Sequence, residues 1–261
     1  MKRRELVMKL YEIYFSPTGG TKKVADIISR QFVCEKTEVD LTDADMDFSG
    51  ISFEEEDICL TAVPSYGGRV PEAAIERLKV IHGNGARVVL TVVYGNRAYE
   101  DTLAELKETM ETAGFRCFAG IAAVAEHSIM RQFAAGRPDA QDERELISFG
   151  EEIKKALEEN TADKLLQVPG NLPGREYHGV PFKPKGDKKC TGCGLCAASC
   201  PVKAIPVKEP SATDEKKCIS CMRCVAVCPN HARDLNKLLL FASAKAMEKA
   251  CGGRKENELF L

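Results

Sequence analysis

The 261-residue sequence has no long hydrophobic run. No window approaches the ~20 apolar residues that a transmembrane helix needs. Its basic start, Met1-Lys2-Arg3-Arg4, is followed by Glu5, Lys9 and Glu12 rather than by the apolar region of a signal peptide. A cytoplasmic protein with no membrane span is therefore expected. Two glycine motifs are also missing. Without Gly-x-x-x-x-Gly-Lys-Ser/Thr a nucleotide P-loop is not expected, and without Gly-x-Gly-x-x-Gly there is no dinucleotide fingerprint. The Cys-x3-Cys-x2-Cys spacing of radical-SAM proteins does not occur, and no acid–base or nucleophilic constellation points to bond-breaking chemistry.

Cysteine, by contrast, is abundant. There are twelve, and eight of them lie between Cys190 and Cys228. In a cytosolic chain such a cluster points to metal binding rather than to disulfides. Charge is uneven as well. Residues 1–159 hold 20 Lys+Arg against 29 Asp+Glu, whereas residues 160–261 hold 17 against 10. An acidic body joined to a basic tail suggests that the two dock on each other electrostatically. The tail lacks aromatic stacking platforms, so a nucleic-acid partner is not expected.

Over residues 1–159 strand-like and helix-like segments alternate. Strands are expected at Leu10–Phe15, Thr37–Leu41, Asp57–Val63, Arg87–Tyr94 and Phe115–Val124. The fourth, Arg-Val-Val-Leu-Thr-Val-Val-Tyr, is the continuous β-branched run of a strand buried on both faces. Helices are expected at Thr21–Phe32, Pro71–Ile81, Tyr99–Ala113 and Asp142–Glu158. Pro71 suits the first helical turn, where a missing N–H costs nothing. Alternation of this kind predicts an α/β fold with a doubly wound, five-stranded parallel sheet. Ligands of such sheets bind beyond the carboxyl ends of the strands.

The loops at those ends are therefore the candidate site. The first is Ser16-Pro17-Thr18-Gly19-Gly20-Thr21. Its glycines permit close backbone approach, its hydroxyls can donate, and the helix behind it points free N–H groups at the loop. That combination suits a phosphate monoester. Together with Ala62–Pro71 after the third strand and Tyr94–Leu103 after the fourth, the stretch resembles the three FMN loops of flavodoxins. The resemblance covers about residues 8–159. It implies that Ser16, Thr18, Gly19, Gly20 and Thr21 hold the phosphate. Ser65, Tyr66, Gly67, Gly68 and Arg69 would line the ring, with Tyr94, Gly95, Asn96, Arg97 and Tyr99 opposite. Gly95 and Asn96 would then meet the pyrimidine edge and Tyr99 would stack on the ring. Pro17 departs from the flavodoxin pattern and removes one N–H. Arg69 and Arg97 stand where flavodoxins favour acidic or neutral residues, and a guanidinium there would raise the flavin potential. His127 and Ser128 follow the fifth strand and can face the same cleft. Cys34, Cys59 and Cys117 are expected to be small buried hydrophobes.

Residues 160–185 read as a linker rich in proline and glycine. Cys190-x2-Cys193-x2-Cys196-x3-Cys200-Pro201 then follows, and it recurs as Cys218-x2-Cys221-x2-Cys224-x3-Cys228-Pro229, 28 positions on. Paired Cys-x2-Cys units also build zinc sites, though with a longer gap between pairs. The doubled run matches bacterial ferredoxins, whose fourth cysteine ligates the other cluster. That rule assigns Cys190, Cys193, Cys196 and Cys228 to one [4Fe–4S] cluster and Cys218, Cys221, Cys224 and Cys200 to the second. The small α+β ferredoxin-like domain is placed at 186–232, with a helix and tail at 233–261 in which Cys251 is not a ligand. The whole chain resembles flavodoxin–ferredoxin fusions of anaerobic prokaryotes. The resemblance implies an electron-transfer protein in which FMN, two clusters and an external redox partner exchange electrons. Two alternatives stay open at this point: an FMN-dependent reductase of a quinone, nitro compound or O2, and an FMN-free docking or regulatory protein.

Overall fold

The computed structural model describes residues 9–159 and 165–261. The first part alternates β1 (Lys9–Tyr14), α1 (Gly20–Ser29), β2 (Glu35–Asp40), β3 (Ile58–Pro64), α2 (Glu72–Leu78), β4 (Arg87–Tyr94), α3 (Thr102–Thr112), β5 (Arg116–Val124) and α4 (Ala140–Glu158). These five strands are all parallel, in the order β2-β1-β3-β4-β5. This is the doubly wound order of flavodoxin-like sheets, with the switch point between β1 and β3.

Each sheet face carries its own apolar layer. Val24 and Ile28 of α1 and Leu146 and Ile153 of α4 pack with Leu60 and Ile121 on one side. Ala74 and Leu78 of α2 and Leu103 and Leu106 of α3 pack with Ile13 and Leu90 on the other. Seven of the eight residues of β4 are buried, because helices cover the sheet on both faces at its centre. Helix α4 begins with a capping box, in which the Asp139 side chain accepts from the Asp142 N–H and that of Asp142 accepts from the Asp139 N–H.

The sheet has six strands rather than the expected five. The sixth, β8 (Glu258–Phe260), comes from the C-terminal tail and pairs antiparallel with β5. Three residues at an edge leave little periodicity to read, and the Asn257 side chain anchors the strand at its start: its carbonyl accepts from the Val124 N–H at 2.9 Å.

After an irregular stretch, β6 (Lys185–Gly186) pairs with β7 (Arg233–Asp234) and brackets two one-turn helices, α5 (Leu195–Ala198) and α6 (Arg223–Ala226). The expected helix from Arg233 instead starts later, as α7 (Lys237–Cys251), because the Asn236 side chain accepts from the Leu238 and Leu239 N–H groups and caps it there. Val202 and Ile219 of the cysteine-rich segment pack onto the core of the first part. Arg77 donates to the Pro201 carbonyl at 2.5 Å, and Lys203 pairs with Asp45 at 2.6 Å. Among the described residues no helix is long and apolar enough to cross a membrane.

Candidate cofactor sites

The doubled cysteine run folds with matching backbone geometry in its two copies. Left-handed residues fall at Gly192 and Ser220, at Gly194 and Met222, and at Lys203 and His231, each pair 28 positions apart. Such turns aim successive N–H groups into one concavity, which suits a cluster of anionic sulfurs. The fourth cysteines are matched too. Cys200 Sγ accepts from the Ala204 N–H at 3.3 Å, and Cys228 Sγ accepts from the Ala232 N–H at 3.2 Å.

Cys190, Cys193, Cys196 and Cys228 line one small cavity. Cys200, Cys218 and Cys224 crowd Cys221: burial pushes the Cys221 thiol up, and the three neighbours push it further. Burial raises Cys224 to about 11, with Cys218 and Cys200 adding to the rise. Two buried thiols held in the neutral form, with Cys200 and Cys218 beside them, fit a site whose charge a metal cluster would compensate. Arg233, which the sequence suggests only as the start of a helix, is 2% exposed. It donates to the Pro184 carbonyl at 2.7 Å and to that of Pro210, and its Nη1 lies 4.0 Å from Cys196 Sγ. Burial raises Cys196 as it does Cys224, and the Arg233 charge partly offsets both rises and helps to hold Cys228 down, so one buried cation faces both ligand sets. Cys251 is buried apart from them, beside Met130 and Phe133.

A second cavity, of about 430 Å³, lies beyond the carboxyl ends of the strands. Its volume is within the usual range for cofactor sites. Thr18, Gly20, Thr21, Ser65, Tyr66, Gly67, Tyr94, Gly95 and Arg97 line it, together with His127 and Ser128. The N–H groups of Thr18, Gly20 and Thr21 have no partner among the described residues, so the start of α1 offers donors to an anion. Tyr66 and Arg69 exchange backbone hydrogen bonds at 2.9 and 3.2 Å around Gly67 and Gly68, both at positive φ. This tight turn is one that glycine makes without strain.

His127 is held in one tautomer. Its Nδ1 accepts from the N–H groups of Ile129 and Met130 at 3.1 and 3.2 Å, which leaves the ring proton on Nε2. Burial keeps its pKa below the ordinary value, and the nearby Arg97 charge adds to this. The ring lies so close to Gly95 that a Cβ there would come within 2.7 Å of it.

Six of the residues assigned to flavin loops lie elsewhere. Ser16 turns inward: its Oγ accepts from the Lys22 N–H at 2.9 Å and its N–H donates to Thr42 Oγ1 at 2.8 Å, so it braces the loop. Gly19 is the left-handed residue before α1 and lies on the outer side of the loop. Gly68 is buried against Glu100. Arg69 is drawn to the buried Glu105 carboxylate, which also accepts from the Val70 N–H at 2.8 Å. Asn96 is 3% exposed and donates to the Cys251 and Gly253 carbonyls at 2.6 and 2.7 Å. Tyr99 packs on Tyr94 at 5.3 Å and donates to Glu258 at 3.1 Å, on the side of the added strand.

Other residues take the vacated positions. Tyr177, Val180, Pro181 and Phe182 of the linker and Met247 of α7 roof the cavity. Tyr177 lies flush against Gly67, where a Cβ would overlap its ring. The only sequence trace of this roof is the apolar run Gly-Val-Pro-Phe at 179–182, inside a stretch otherwise rich in proline and charge.

Residues 184–235, which contain all eight clustered cysteines, match the family model described as a 4Fe-4S dicluster domain. Structural neighbours of the first part include a flavodoxin of Streptococcus pneumonia TIGR4, at 19% identity over 56% of this chain and 98% of that one, TM-score 0.40. Flavodoxin 1 from Bacillus cereus is similar at 20% identity over 56% and 97%, TM-score 0.41. Rubredoxin oxygen:oxidoreductase from Desulfovibrio gigas is similar at 16% over 59% of this chain and 37% of that one, TM-score 0.42. The strand order itself establishes the flavodoxin-like fold. The chain thus joins a flavodoxin-like sheet to a 4Fe-4S dicluster segment.

Proposed function

We propose that the chain is an electron-transfer flavo-iron–sulfur protein that holds FMN in the roofed cavity and two [4Fe–4S] clusters in the cysteine-rich segment. The observation that carries this reading is a shared wall. The cavity at the carboxyl ends of β1, β3, β4 and β5 is closed on its far side by Ile219 and Ser220, which belong to the cysteine-rich segment. FMN accepts one or two electrons and each cluster one, so this juxtaposition suits electron exchange within one chain. The chain's own residues bind and orient. The unpartnered N–H groups of Thr18, Gly20 and Thr21 fit the phosphate, Tyr66 and Tyr177 offer aromatic faces, and the His127 Nε2–H is a neutral donor.

The roof favours a carrier over a reductase of small acceptors. Tyr177, Phe182 and Met247 cover the cavity, whereas a quinone or nitro compound needs an open flavin face. The unsatisfied donors at the start of α1 speak against an FMN-free scaffold. The test is anaerobic reconstitution followed by cofactor counting and a stepwise reductive titration. About one FMN and about eight irons per chain that equilibrate with each other are expected. Iron uptake without FMN uptake overturns the reading.

A further inference from the structure

The two copies of the cysteine run match in backbone geometry but differ in surroundings. In the first copy Thr191, Gly192 and Cys193 are exposed. The equivalent residues of the second copy are Ile219, which packs on the core of the flavodoxin-like part, and Ser220 and Cys221, which are buried. Ile219 and Ser220 line the roofed cavity alongside Tyr66 and Gly67. Arg223, between Cys221 and Cys224, donates to the Pro17 carbonyl at 3.2 Å, on the loop that leads into α1. The second copy therefore touches both the phosphate loop and the ring loop. Cys190, Cys193, Cys196 and Cys228 line a separate cavity, and none of the described residues of the first copy lines the roofed one.

We propose that the two clusters are in series: the one held by Cys218, Cys221, Cys224 and Cys200 exchanges electrons directly with the flavin, and the one held by Cys190, Cys193, Cys196 and Cys228 is the outward port for the partner. This rests on the flavin and cluster reading above. Each step moves one electron: the inner cluster is oxidised as the flavin is reduced, and the outer cluster then re-reduces the inner one with an electron from the external redox partner. One cation stands on the ligand run of the inner cluster. Lys183 Nζ donates to the Cys218 carbonyl at 2.5 Å and to Ser220 Oγ at 3.1 Å. Removing it withdraws positive charge from that cluster while leaving every cysteine in place.

The experiment compares the chain loaded with FMN and iron–sulfur clusters with its Lys183→Met variant, by redox titration and low-temperature EPR. The variant lowers the midpoint of one cluster signal, and this identifies the inner cluster. The spin relaxation of the one-electron-reduced flavin is then followed as each cluster becomes paramagnetic. Relaxation is expected to speed up several-fold when the Lys183-sensitive cluster is reduced, and to change little with the other. Relaxation that follows the Lys183-insensitive cluster, or that follows both equally, overturns the order while leaving the cofactor reading intact. A Lys183→Met variant that moves both midpoints alike, or neither, overturns the placement of Lys183 at one cluster and with it the order proposed. A chain that takes up its irons but no flavin overturns both proposals.

Discussion

Gly67 and Tyr177 offer a direct test of the roofed cavity. A Cβ at Gly67 would overlap the Tyr177 ring, and Gly67 itself sits at φ 62°. Gly67→Ala therefore carries two costs. The left-handed backbone costs an L-residue roughly 1–2 kcal/mol. The overlap adds roughly 1–3 kcal/mol unless Tyr177 moves. Tyr177 belongs to a linker segment without regular structure, so it is the part that yields, and its ring leaves the cavity. In Tyr177→Ala the ring is already gone, so adding Gly67→Ala leaves only the backbone cost. The two changes should be strongly sub-additive in FMN affinity, with a coupling of roughly 1–3 kcal/mol, or about 5- to 150-fold in Kd. The assay is fluorescence titration of FMN into the flavin-free wild type, both single variants and the double variant. Additive effects on Kd would refute the argument, because they would mean that the ring and the Gly67 backbone do not meet where the flavin binds.

Three other changes probe the supports of the site. Asp142 is fully buried with Arg137, and their ion pair anchors the start of α4; Asp142→Asn leaves an unneutralised buried guanidinium and should cost roughly 3–5 kcal/mol in urea unfolding. Burial would raise the Asp142 pKa, but hydrogen bonds from Arg137, Asp139 N–H and Asn257 outweigh it and hold it below the ordinary value; its contribution is thus complete above a pH of about 4 and is lost as pH falls further toward the folded value, a slope that Asp142→Asn should flatten. His127 is also depressed, here by burial, so the folded state resists its protonation; stability should fall as pH drops below about 6.5, and His127→Gln should lessen that fall in thermal melts from pH 7 to 5. Asn96→Ala leaves the Cys251 and Gly253 carbonyls without their donor, at a cost of roughly 1–3 kcal/mol, and should show as faster amide exchange in the α7 C-terminus.

The parts of this architecture that were legible in the sequence are those fixed by local pattern. The run at 87–94 reads as a doubly covered strand and is one, because an uninterrupted β-branched stretch fits only a sheet with helices on both faces. The cysteine spacing showed the 28-residue repeat, and the matching left-handed residues follow from the same spacing. Side-chain direction was far less legible. Arg69 was expected at the ring, but the buried Glu105 claims it, and nothing within the loop reveals that partner 36 positions away. Tyr99 was expected to stack on the ring, yet it faces β8, a strand of three residues that the Asn257 side chain helps to anchor to β5. The roof was hidden for a similar reason. Tyr177 and Met247 stand in a linker and in a C-terminal helix, whose approach to the cavity depends on contacts between parts far apart in the chain.

Those distant contacts converge on the tail, which links the sheet edge to the cavity. Arg254 pairs with Asp139 at 2.8 Å and with Asp142 at 2.9 Å, and the Asn257 amide donates to Asp142 at 3.0 Å and to Glu145 at 2.7 Å. The same tail extends the sheet through β8, and Asn96 holds the end of α7 at the Tyr94–Arg97 loop. Helix α7 in turn places Met247 over the cavity. A ligand that packs under Met247 therefore stabilises α7, and through Asn96 and Arg254 it stabilises the sheet edge as well. Two acidic residues at the start of α4 bear much of this link, because Asp139 and Asp142 hold Arg254 while Asp142 also holds Arg137 and Asn257. The attraction between acidic body and basic tail expected from composition thus acts here at a few positions. Elsewhere the docking uses one exposed pair, Lys203 with Asp45, and backbone carbonyls, as where Arg77 reaches Pro201 and Arg223 reaches Pro17. Salt should accordingly loosen the tail less than the opposite net charges of the two parts suggest, since carbonyl contacts are screened far less than exposed charges.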